Sequence, residues 1–447
     1  MHEITMAIRE LAEVAKEHNI IDSSHYSQHK IKRGLRNSNG TGVLVGLTKV
    51  GSVHGYEMVD GQKIPMDGKL YYRGISLNKI VDGFLKEDRH GYEETAFLLL
   101  FGKLPTKEEL ETFRKVLDYY RYLPEGYTEN MILKIPSSDI MNKLQRSTLV
   151  LYSHDDNPDD LSIQNMIRQS IELIAKFPTI VAYSYQAKSH YFDKKSLVIH
   201  SPLKGASTAE NILHMLRADN KYSKTEVDTL DLALVLHAEH GGGNNSTFAT
   251  HVVSSSGTDT YSAIATAVGA LKGPKHGGAN IKVKTMIENI KENVENYSNK
   301  AELKKYLKKI LDRETFNREG LIYGMGHAVY TISDPRAVLL KEKAKELAIE
   351  KNAIKEYTLY TDIEELTKEI FKEERGKEIS ANVDLYSGFV YEMLNIPMDI
   401  YTPLFAIARV TGWCAHRIEQ VVSDPKILRP GYKTVFTEDL YQDLTNR

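Results

Sequence analysis

Cysteine is nearly absent from this chain, because Cys414 is the only one among 447 residues. One thiol excludes an intramolecular disulfide and any cysteine-rich zinc site. It lies in the apolar helical stretch VTGWCAHRIEQVV, whereas a reactive thiol needs an exposed, electropositive setting. We therefore interpret Cys414 as a packing residue and expect a reducing compartment.

Long apolar runs are also missing, since none reaches the ~18–20 residues of a membrane span. The amino-terminal stretch is amphipathic but contains Glu3, Glu10, Glu13 and Glu17. Transit peptides avoid acidic residues, and a secretory signal needs a continuous apolar segment. These absences predict a soluble, cytoplasmic protein.

Charge of one sign does not dominate either. The formal net charge is −2, and acidic and basic residues are interspersed, so nothing indicates a nucleic acid or an anionic membrane as partner. The chain is 41% hydrophobic and 26% charged. That composition is globular, and the length suits a large core and two domains.

Strand signals are scarce, and the fold is predicted to be all-α. The exception is the stretch 41–72, whose β-branched runs and turn pairs Asp60-Gly61 and Asp67-Gly68 predict a small hairpin. Elsewhere the hydrophobic periodicity is helical. Residues 102–105 break one helix from the next, which begins at a capping box of Thr106 and Glu109. Pro178 is expected to kink a buried helix.

Composition shifts after Ile287, where the chain becomes rich in lysine and glutamate as far as Lys377. We interpret this stretch as solvated helix faces of a smaller, more exposed domain. The expected organisation is a large helical domain of residues 1–287 and 400–447, with a small helical domain of residues 288–399.

Four short segments combine glycines or asparagines with ionisable side chains. They are HAEHGGGNNST (237–247), GPKHGGAN (273–280), YGMGHAVYTISDPRA (323–337) and ANVDLYSG (381–388). Glycine lets a ligand approach the main chain, so a helix that ends in such a segment can end at a cavity. One segment alone would be an ordinary helix end with an exposed histidine. Four of them favour the wall of a site, at which His276 is one of the side chains presented.

Several chemistries do not fit these segments. His237 and His240 could chelate a metal at i and i+3, but HAEH matches neither zincin pattern. A zinc-dependent nucleobase deaminase needs H-x-E followed by P-C-x-x-C, and this chain has only one cysteine. GMGHAV lacks the third glycine and the preceding strand of a dinucleotide fingerprint. A metal site stays a minor alternative, and no metal or cofactor is expected.

The residue types fit a different reaction. His276, His327 and Asp384 are suited to proton transfer. A second group, His240, Arg336, Arg409 and Arg429, is suited to binding carboxylates. Together they indicate carbon–carbon bond chemistry on a small polyacid.

At these same residues the sequence resembles the citrate synthase family, over nearly the whole chain. LHAEHGGGNNST, GPKHGGAN, GMGHAVYTISDPRA, ANVDLYSG and FAIARVTGWCAH are each similar to a family segment, in the same order and spacing. The resemblance implies a large and a small helical domain, an active site in the cleft between them, and a homodimer. It implies condensation of acetyl-CoA with oxaloacetate and water, giving citrate and CoA.

The resemblance also implies roles for individual residues. Asp384 would be the base that removes a methyl proton from acetyl-CoA, His276 the donor to the enol oxygen, and His327 the acid that protonates the oxaloacetate carbonyl. The implied oxaloacetate ligands are His240, His276, His327, Arg336, Arg409 and Arg429, with Arg429 given to the neighbouring subunit's site. The implied CoA ligands are Leu321, Ile322 and Gly324.

Two alternatives stay open at this point, beside the minor one of a metal site, which would make the protein a metal-dependent hydrolase. GHAVYTISDPR also resembles 2-methylcitrate synthases, which use propionyl-CoA, and the sequence does not reveal the pocket volume that separates the two substrates. The other alternative is a non-catalytic binder of polycarboxylates or CoA. Asp384 argues against it, because a protein that binds acids has no use for a further carboxylate.

Overall fold

The computed structural model describes residues 2–60, 62–424, 426–436 and 440–446. The described chain is predominantly α-helical with one three-stranded sheet, which confirms the predicted fold class. Its internal contacts divide it into two units. One comprises Met1–Gly46 with Leu428–Arg447, and the other comprises Leu47–Ile427.

The first unit contains two helices, α1 (His2–Asn19) and α2 (Ser23–Gln28). Asp22 caps α2 by accepting a hydrogen bond from the Ser24 backbone N–H at 2.8 Å. Residues 428–436 and 440–443 of this unit have neither helix nor strand, and a short 3₁₀ turn covers Leu444–Asn446.

The second unit contains fifteen α-helices. They are α3 (Leu77–Lys86), α4 (Tyr92–Phe101), α5 (Lys107–Tyr120), α6 (Ile140–Leu151), α7 (Ile163–Tyr191), α8 (Thr208–Leu216), α9 (Lys224–His237), α10 (Asn245–Ser254), α11 (Thr260–Lys272), α12 (Ala279–Asn293), α13 (Lys300–Leu311), α14 (Pro335–Glu350), α15 (Ile354–Arg375), α16 (Val383–Met393) and α17 (Tyr401–Ser423).

The predicted hairpin is confirmed, but Asp67-Gly68 is wrong as a turn signal, and Gly61 of the other pair, Asp60-Gly61, lies outside the described residues. Strands β1 (Gly51–Val59) and β2 (Gln62–Tyr72) are antiparallel, and the short β3 (Ile75–Ser76) extends the sheet. Asp67 and Gly68 lie inside β2, not at a turn. Their partner is Ser333, which donates to the Asp67 carboxylate at 2.9 Å and accepts from the Gly68 N–H at 3.1 Å. This contact ties the sheet to the loop before α14.

Local capping signals are also confirmed. α4 ends at Gly102, which adopts a left-handed conformation with φ 76°. Thr106 and Glu109 form the predicted capping box of α5. Asp334 caps α14, and Pro335 occupies its first turn, as the Asp-Pro pair indicates.

The core centres on α7, α11 and α17. α7 carries Pro178 in its buried interior, and Trp413 and Cys414 on α17 are fully buried. Burial raises the pKa of the Cys414 thiol to about 12, so this thiol stays protonated and serves packing. A buried aromatic side chain the size of Trp413 dominates the local packing energy.

Helices α13 and α15 explain the lysine- and glutamate-rich composition. Ion pairs on their exposed faces join Lys300 to Glu365 at 3.0 Å and Lys304 to Glu373 at 3.0 Å. Exposed pairs of this kind contribute about 0–1 kcal/mol each, so they keep these faces solvated and do little for stability. The predicted domain boundaries at 287/288 and 399/400 stay a prediction.

Across the described ranges, every helix is too short or too polar to cross a membrane.

Candidate active site

Two histidines lie where α9 ends. His237 is its last residue, and His240 follows it beyond the cap. The Tyr72 hydroxyl donates to the Glu239 carbonyl at 3.1 Å and so ties this segment to β2. His240 Nε2 is buried and has no hydrogen-bond partner among the described residues. Burial, with the charge of Arg336, holds the pKa of His240 well below its ordinary value, so the ring is neutral.

Arg409 is fully buried on α17 and has a free end. Its Nε donates to the His237 carbonyl at 2.6 Å, and the Phe405 ring lies 4.7 Å from its guanidinium carbon. Nη1 and Nη2 are buried without a hydrogen-bond partner in the described chain. Burial lowers the pKa of Arg409 to about 10, which still leaves it cationic at neutral pH. A buried cation with two unpaired NH₂ groups is suited to a carboxylate.

The loop that carries His327 is clasped to the start of α16. The Asn382 backbone N–H donates to the Gly324 carbonyl at 2.9 Å, and its side-chain amide donates to the Gly326 carbonyl at 2.8 Å. Gly324 has φ 83°, and a Cβ there would lie 2.8 Å from Leu385. Only glycine fits this position.

The tautomer of His327 follows from its backbone contacts. Its Nδ1 accepts hydrogen bonds from the N–H groups of Val329 at 3.0 Å and Tyr330 at 3.2 Å. The neutral ring therefore carries its hydrogen on Nε2. The His327 ring centre lies 4.6 Å from that of Tyr330 and 5.1 Å from that of His240.

Arg336 is held in the same cluster by its own helix cap. It is 4% exposed, and its Nε and Nη2 donate to the two carboxylate oxygens of Asp334 at 3.0 and 2.7 Å. Burial alone would lower the pKa of Arg336, but the Asp334 charge raises it above its ordinary value. The guanidinium carbon lies 5.9 Å from the centre of the Tyr330 ring.

Asp384 lies in the first turn of α16. Its backbone N–H donates to the capping side chain of Asn382 at 3.0 Å, whereas no hydrogen bond identified within the described residues uses its carboxylate. Burial raises the pKa of Asp384 to about 6, against the opposing charges of Arg336 and Arg409. A carboxylate tuned in this way is suited to act as a base near neutral pH.

His276 lies between the end of α11 and the start of α12. Its Nε2 is 3.1 Å from the Ser246 hydroxyl, which also accepts a hydrogen bond from Trp413 Nε1 at 3.1 Å. Burial lowers the pKa of His276 to about 4, and the charge of Arg409 acts in the same direction. His276 is therefore a neutral hydrogen-bond donor at physiological pH.

The arrangement can bind an anion and move a proton. Asp384 is a carboxylate with a raised pKa, and His240 and His276 are neutral imidazoles. Arg336 and Arg409 supply the positive charge that acts on these groups. A small dianion would satisfy the free guanidinium end, and a bound acid could lose a proton to Asp384.

Four other predicted site residues are Arg429, Leu321, Ile322 and Gly324. Arg429 belongs to the first unit, where it is exposed on a segment without helix or strand. Leu321 is exposed, whereas Ile322 and Gly324 are buried. Their roles stay predictions.

The two histidines of HAEH face different neighbours. The His237 ring centre lies 4.5 Å from that of Phe405, and neither of its ring nitrogens has a hydrogen-bond partner within the described ranges. The His240 ring instead contacts His327 and Tyr330. The contribution of His237 is its carbonyl, which holds Arg409.

Sequence reasoning missed several supporting residues. Ser246 and Tyr330 lie inside the quoted motifs, and Trp413 lies in the apolar stretch VTGWCAHRIEQVV, but the sequence predicts no role for any of them. Their positions in the sequence could have identified them, because each of the three lies within six residues of a predicted site residue.

Comparisons with known proteins give the family. Residues 39–431 match the family model described as "Citrate synthase, C-terminal domain". The chain is 35% identical to a citrate synthase of Synechocystis, covering 81% of this chain and 84% of the relative. It is 30% identical to 2-methylcitrate synthase 1 of Corynebacterium glutamicum, covering 90% and 95%. Among solved structures, the citrate synthase of Thermoplasma acidophilum in ternary complex with carboxymethyl coenzyme A and oxaloacetate matches with a TM-score of 0.75 and 27% identity, covering 93% of this chain and 99% of that one.

Proposed function

The chain belongs to the citrate synthase family, and on that premise we propose that it condenses acetyl-CoA with oxaloacetate and water to give citrate and CoA. The proposed enzyme is an acyltransferase that catalyses the step by which acetyl carbon enters the tricarboxylic acid cycle. The observation that supports the proposal most is the free end of Arg409, whose buried Nη1 and Nη2 lack a partner in the described chain, as does His240 Nε2.

The first step is enolisation of acetyl-CoA. Asp384 takes a proton from the methyl group, and His276 donates a hydrogen bond to the thioester oxygen as negative charge develops there. When Ser246 donates to His276 Nε2, the hydrogen of the neutral ring is on Nδ1 and is available to the substrate.

The second step forms the new carbon–carbon bond. The enol carbon attacks the oxaloacetate ketone, and His327 donates its Nε2 hydrogen to the ketone oxygen. Arg336, Arg409 and His240 hold the oxaloacetate carboxylates. Water then cleaves the citryl thioester, which releases citrate and CoA.

The remaining assignments extend the same proposal. Leu321, Ile322 and Gly324 would contact CoA, and Arg429 would reach the site of a second copy in a homodimer. A single buried thiol suits the reducing cytoplasm. No resident metal or cofactor and no nucleic-acid or membrane partner is part of the proposed reaction.

The deciding experiment compares acetyl-CoA with propionyl-CoA, each with oxaloacetate. We expect a higher kcat/KM for acetyl-CoA, by about 10–200-fold if the pocket discriminates one methylene. Activity should persist after treatment with a chelator. The reverse preference would make the enzyme a 2-methylcitrate synthase, a name carried by a relative that is 30% identical to this chain. Binding of both substrates without turnover would indicate a non-catalytic binder.

The pKa of Asp384 predicts the acid limb of the pH profile. The base must be ionised, so kcat/KM should fall as the pH drops below about 6, approaching tenfold per pH unit. Bound oxaloacetate adds negative charge to the site and should shift the acid limb of the profile toward higher pH. His276, with its pKa near 4, titrates too low to cause it. Rates measured between pH 5 and 8 on enzyme shown to remain folded would test this, and a flat profile down to pH 5 would contradict it.

A further inference from the structure

A buried carboxylate that the proposed reaction does not use lies beside the site. Glu239 is 0% exposed and precedes His240. Its Oε1 accepts hydrogen bonds from the Gly241 N–H and from His416 Nε2, the latter at 3.0 Å. The carboxylate occupies a narrow slot, since a Cβ added at Gly51 or at Gly412 would come within 2.6 Å of one of its oxygens.

A chain of hydrogen bonds continues outward from Glu239. His416 Nδ1 is 3.1 Å from His251 Nε2, and His251 Nδ1 is 2.9 Å from Gln420 Oε1. Gln420 presents its oxygen to His251 because its amide nitrogen donates to the Asp424 carbonyl at 3.1 Å.

The number of hydrogens in this chain is fixed by its ends. Gln420 Oε1 and an ionised Glu239 can only accept hydrogen bonds. The three links therefore need three N–H hydrogens on the two imidazoles, one more than two neutral rings carry. His416 and His251 together hold one positive charge, which balances Glu239.

The pKa directions of the two groups on either side of His416 agree with this hydrogen-bond chain. Burial lowers the pKa of His251, which favours its neutral form. For Glu239, burial acts to raise the pKa, but His416 and Arg409 outweigh it and the pKa falls below its ordinary value. A second carboxylate, Glu419, lies 3.9 Å from His416 Nδ1. The side chains of Glu239 and His416 are both 0% exposed, so the hydrogen bond between them is fully buried.

The Glu239 carboxylate acts on Arg409 without forming an ion pair with it. Glu239 is the strongest negative charge acting on Arg409, yet no ion pair within 4.0 Å links them in the described residues. Glu239 Oε2 has no hydrogen-bond partner there, and neither do Nη1 and Nη2 of Arg409. A buried carboxylate and a buried guanidinium attract each other strongly when each has hydrogen-bonding atoms without a partner.

We propose that His416, supported by His251, restrains the Glu239 carboxylate so that it does not pair with Arg409, which keeps the Arg409 guanidinium free for a substrate carboxylate. His416 is then a positioning residue that acts through Glu239. The inference rests on the proposed function, in which Arg409 binds oxaloacetate.

The test is a rescue experiment on oxaloacetate affinity. In His416→Leu the Glu239 carboxylate loses its hydrogen bond from His416 Nε2 and turns to Arg409, so it competes with the substrate. We expect the oxaloacetate Kd, measured by calorimetry, and its KM to rise roughly tenfold or more. The KM for acetyl-CoA at saturating oxaloacetate, and kcat, should change by less than about threefold.

The double variant His416→Leu/Glu239→Gln separates restraint from packing. A neutral amide competes weakly for Arg409, so the oxaloacetate Kd should return to within about threefold of wild type. A loss of packing around the missing His416 ring would not be rescued by removing the charge of Glu239. An unchanged Kd in His416→Leu, or a raised Kd that persists in the double variant, would overturn the proposal.

Two further arms keep the inference testable. If His416→Leu does not fold, His251→Leu should raise the oxaloacetate Kd in the same direction but less, again reversed by Glu239→Gln. A ligand-free crystal structure of the single variant should place the Glu239 carboxylate within hydrogen-bond distance of an Arg409 Nη, and an unmoved carboxylate would refute the restraint. Wild-type enzyme that binds no oxaloacetate would instead refute the proposed function, and this structural arm would still decide the inference.

Discussion

Replacing Asp384 with asparagine is expected to lower kcat by about 10²–10⁴-fold, because the variant has no base for the methyl proton of acetyl-CoA. The amide is nearly isosteric with the carboxylate and lies in the first turn of α16, where Asn382 still caps the helix. Steady-state rates at saturating oxaloacetate and acetyl-CoA measure the effect. Asp82→Asn, an exposed substitution on α3, is the matched control and should keep wild-type kcat.

The same variant should be more stable than wild type at alkaline pH. Burial raises the pKa of Asp384 from 3.8 to about 6, so the folded state holds this proton more tightly than the unfolded state. The stabilisation is complete below pH 4 and is lost as the pH rises through 6. At pH 8 the ionised carboxylate costs roughly 3 kcal/mol, a cost that neutral asparagine avoids.

Thermal unfolding at pH 8 and pH 4 separates these effects. A higher Tm for Asp384→Asn at pH 8 that disappears near pH 4 would tie the lost activity to the missing base and not to misfolding. A variant that keeps more than about a tenth of wild-type kcat would show that Asp384 is not the base.

Local sequence signals predicted local structure well. The capping box at Thr106 and the β1–β2 hairpin both formed as expected. Each depends on residues a few positions apart, whose chemistry acts within one turn of chain. The Asp67-Gly68 pair failed as a turn signal because a long-range contact with Ser333 holds it inside β2.

The contacts that tune the site could not be read from the sequence. Arg409 Nε meets the His237 carbonyl across 172 positions, and His416 meets Glu239 across 177. Such pairs depend on how α9 and α17 pack, and no local pattern encodes their register. The sequence motifs therefore identified the titratable residues. Their protonation states and their unpaired hydrogen-bonding atoms became known only from the folded structure.

Arg429 is the predicted site residue that the geometry of the second unit does not include. It belongs to the first unit, it is exposed, and it lies on a segment without helix or strand. An irregular segment near a chain end can cross onto a neighbouring subunit. Under two-fold symmetry each subunit would give one arginine and receive one, so a lone subunit would lack part of its oxaloacetate site.

Mixing Arg429→Ala chains with Asp384→Asn chains is therefore expected to restore activity that neither variant has alone. In a mixed dimer, one site combines the intact Asp384 of one subunit with the intact Arg429 of the other, and the second site carries both defects. Activity should approach half of wild type per heterodimer. Native mass spectrometry would confirm subunit exchange, and two wild-type pools mixed in the same way are the control. If Arg429 is an ordinary surface residue, Arg429→Ala alone should stay nearly as active as wild type. Confirmed heterodimers that recover no activity would rule out a site shared between subunits.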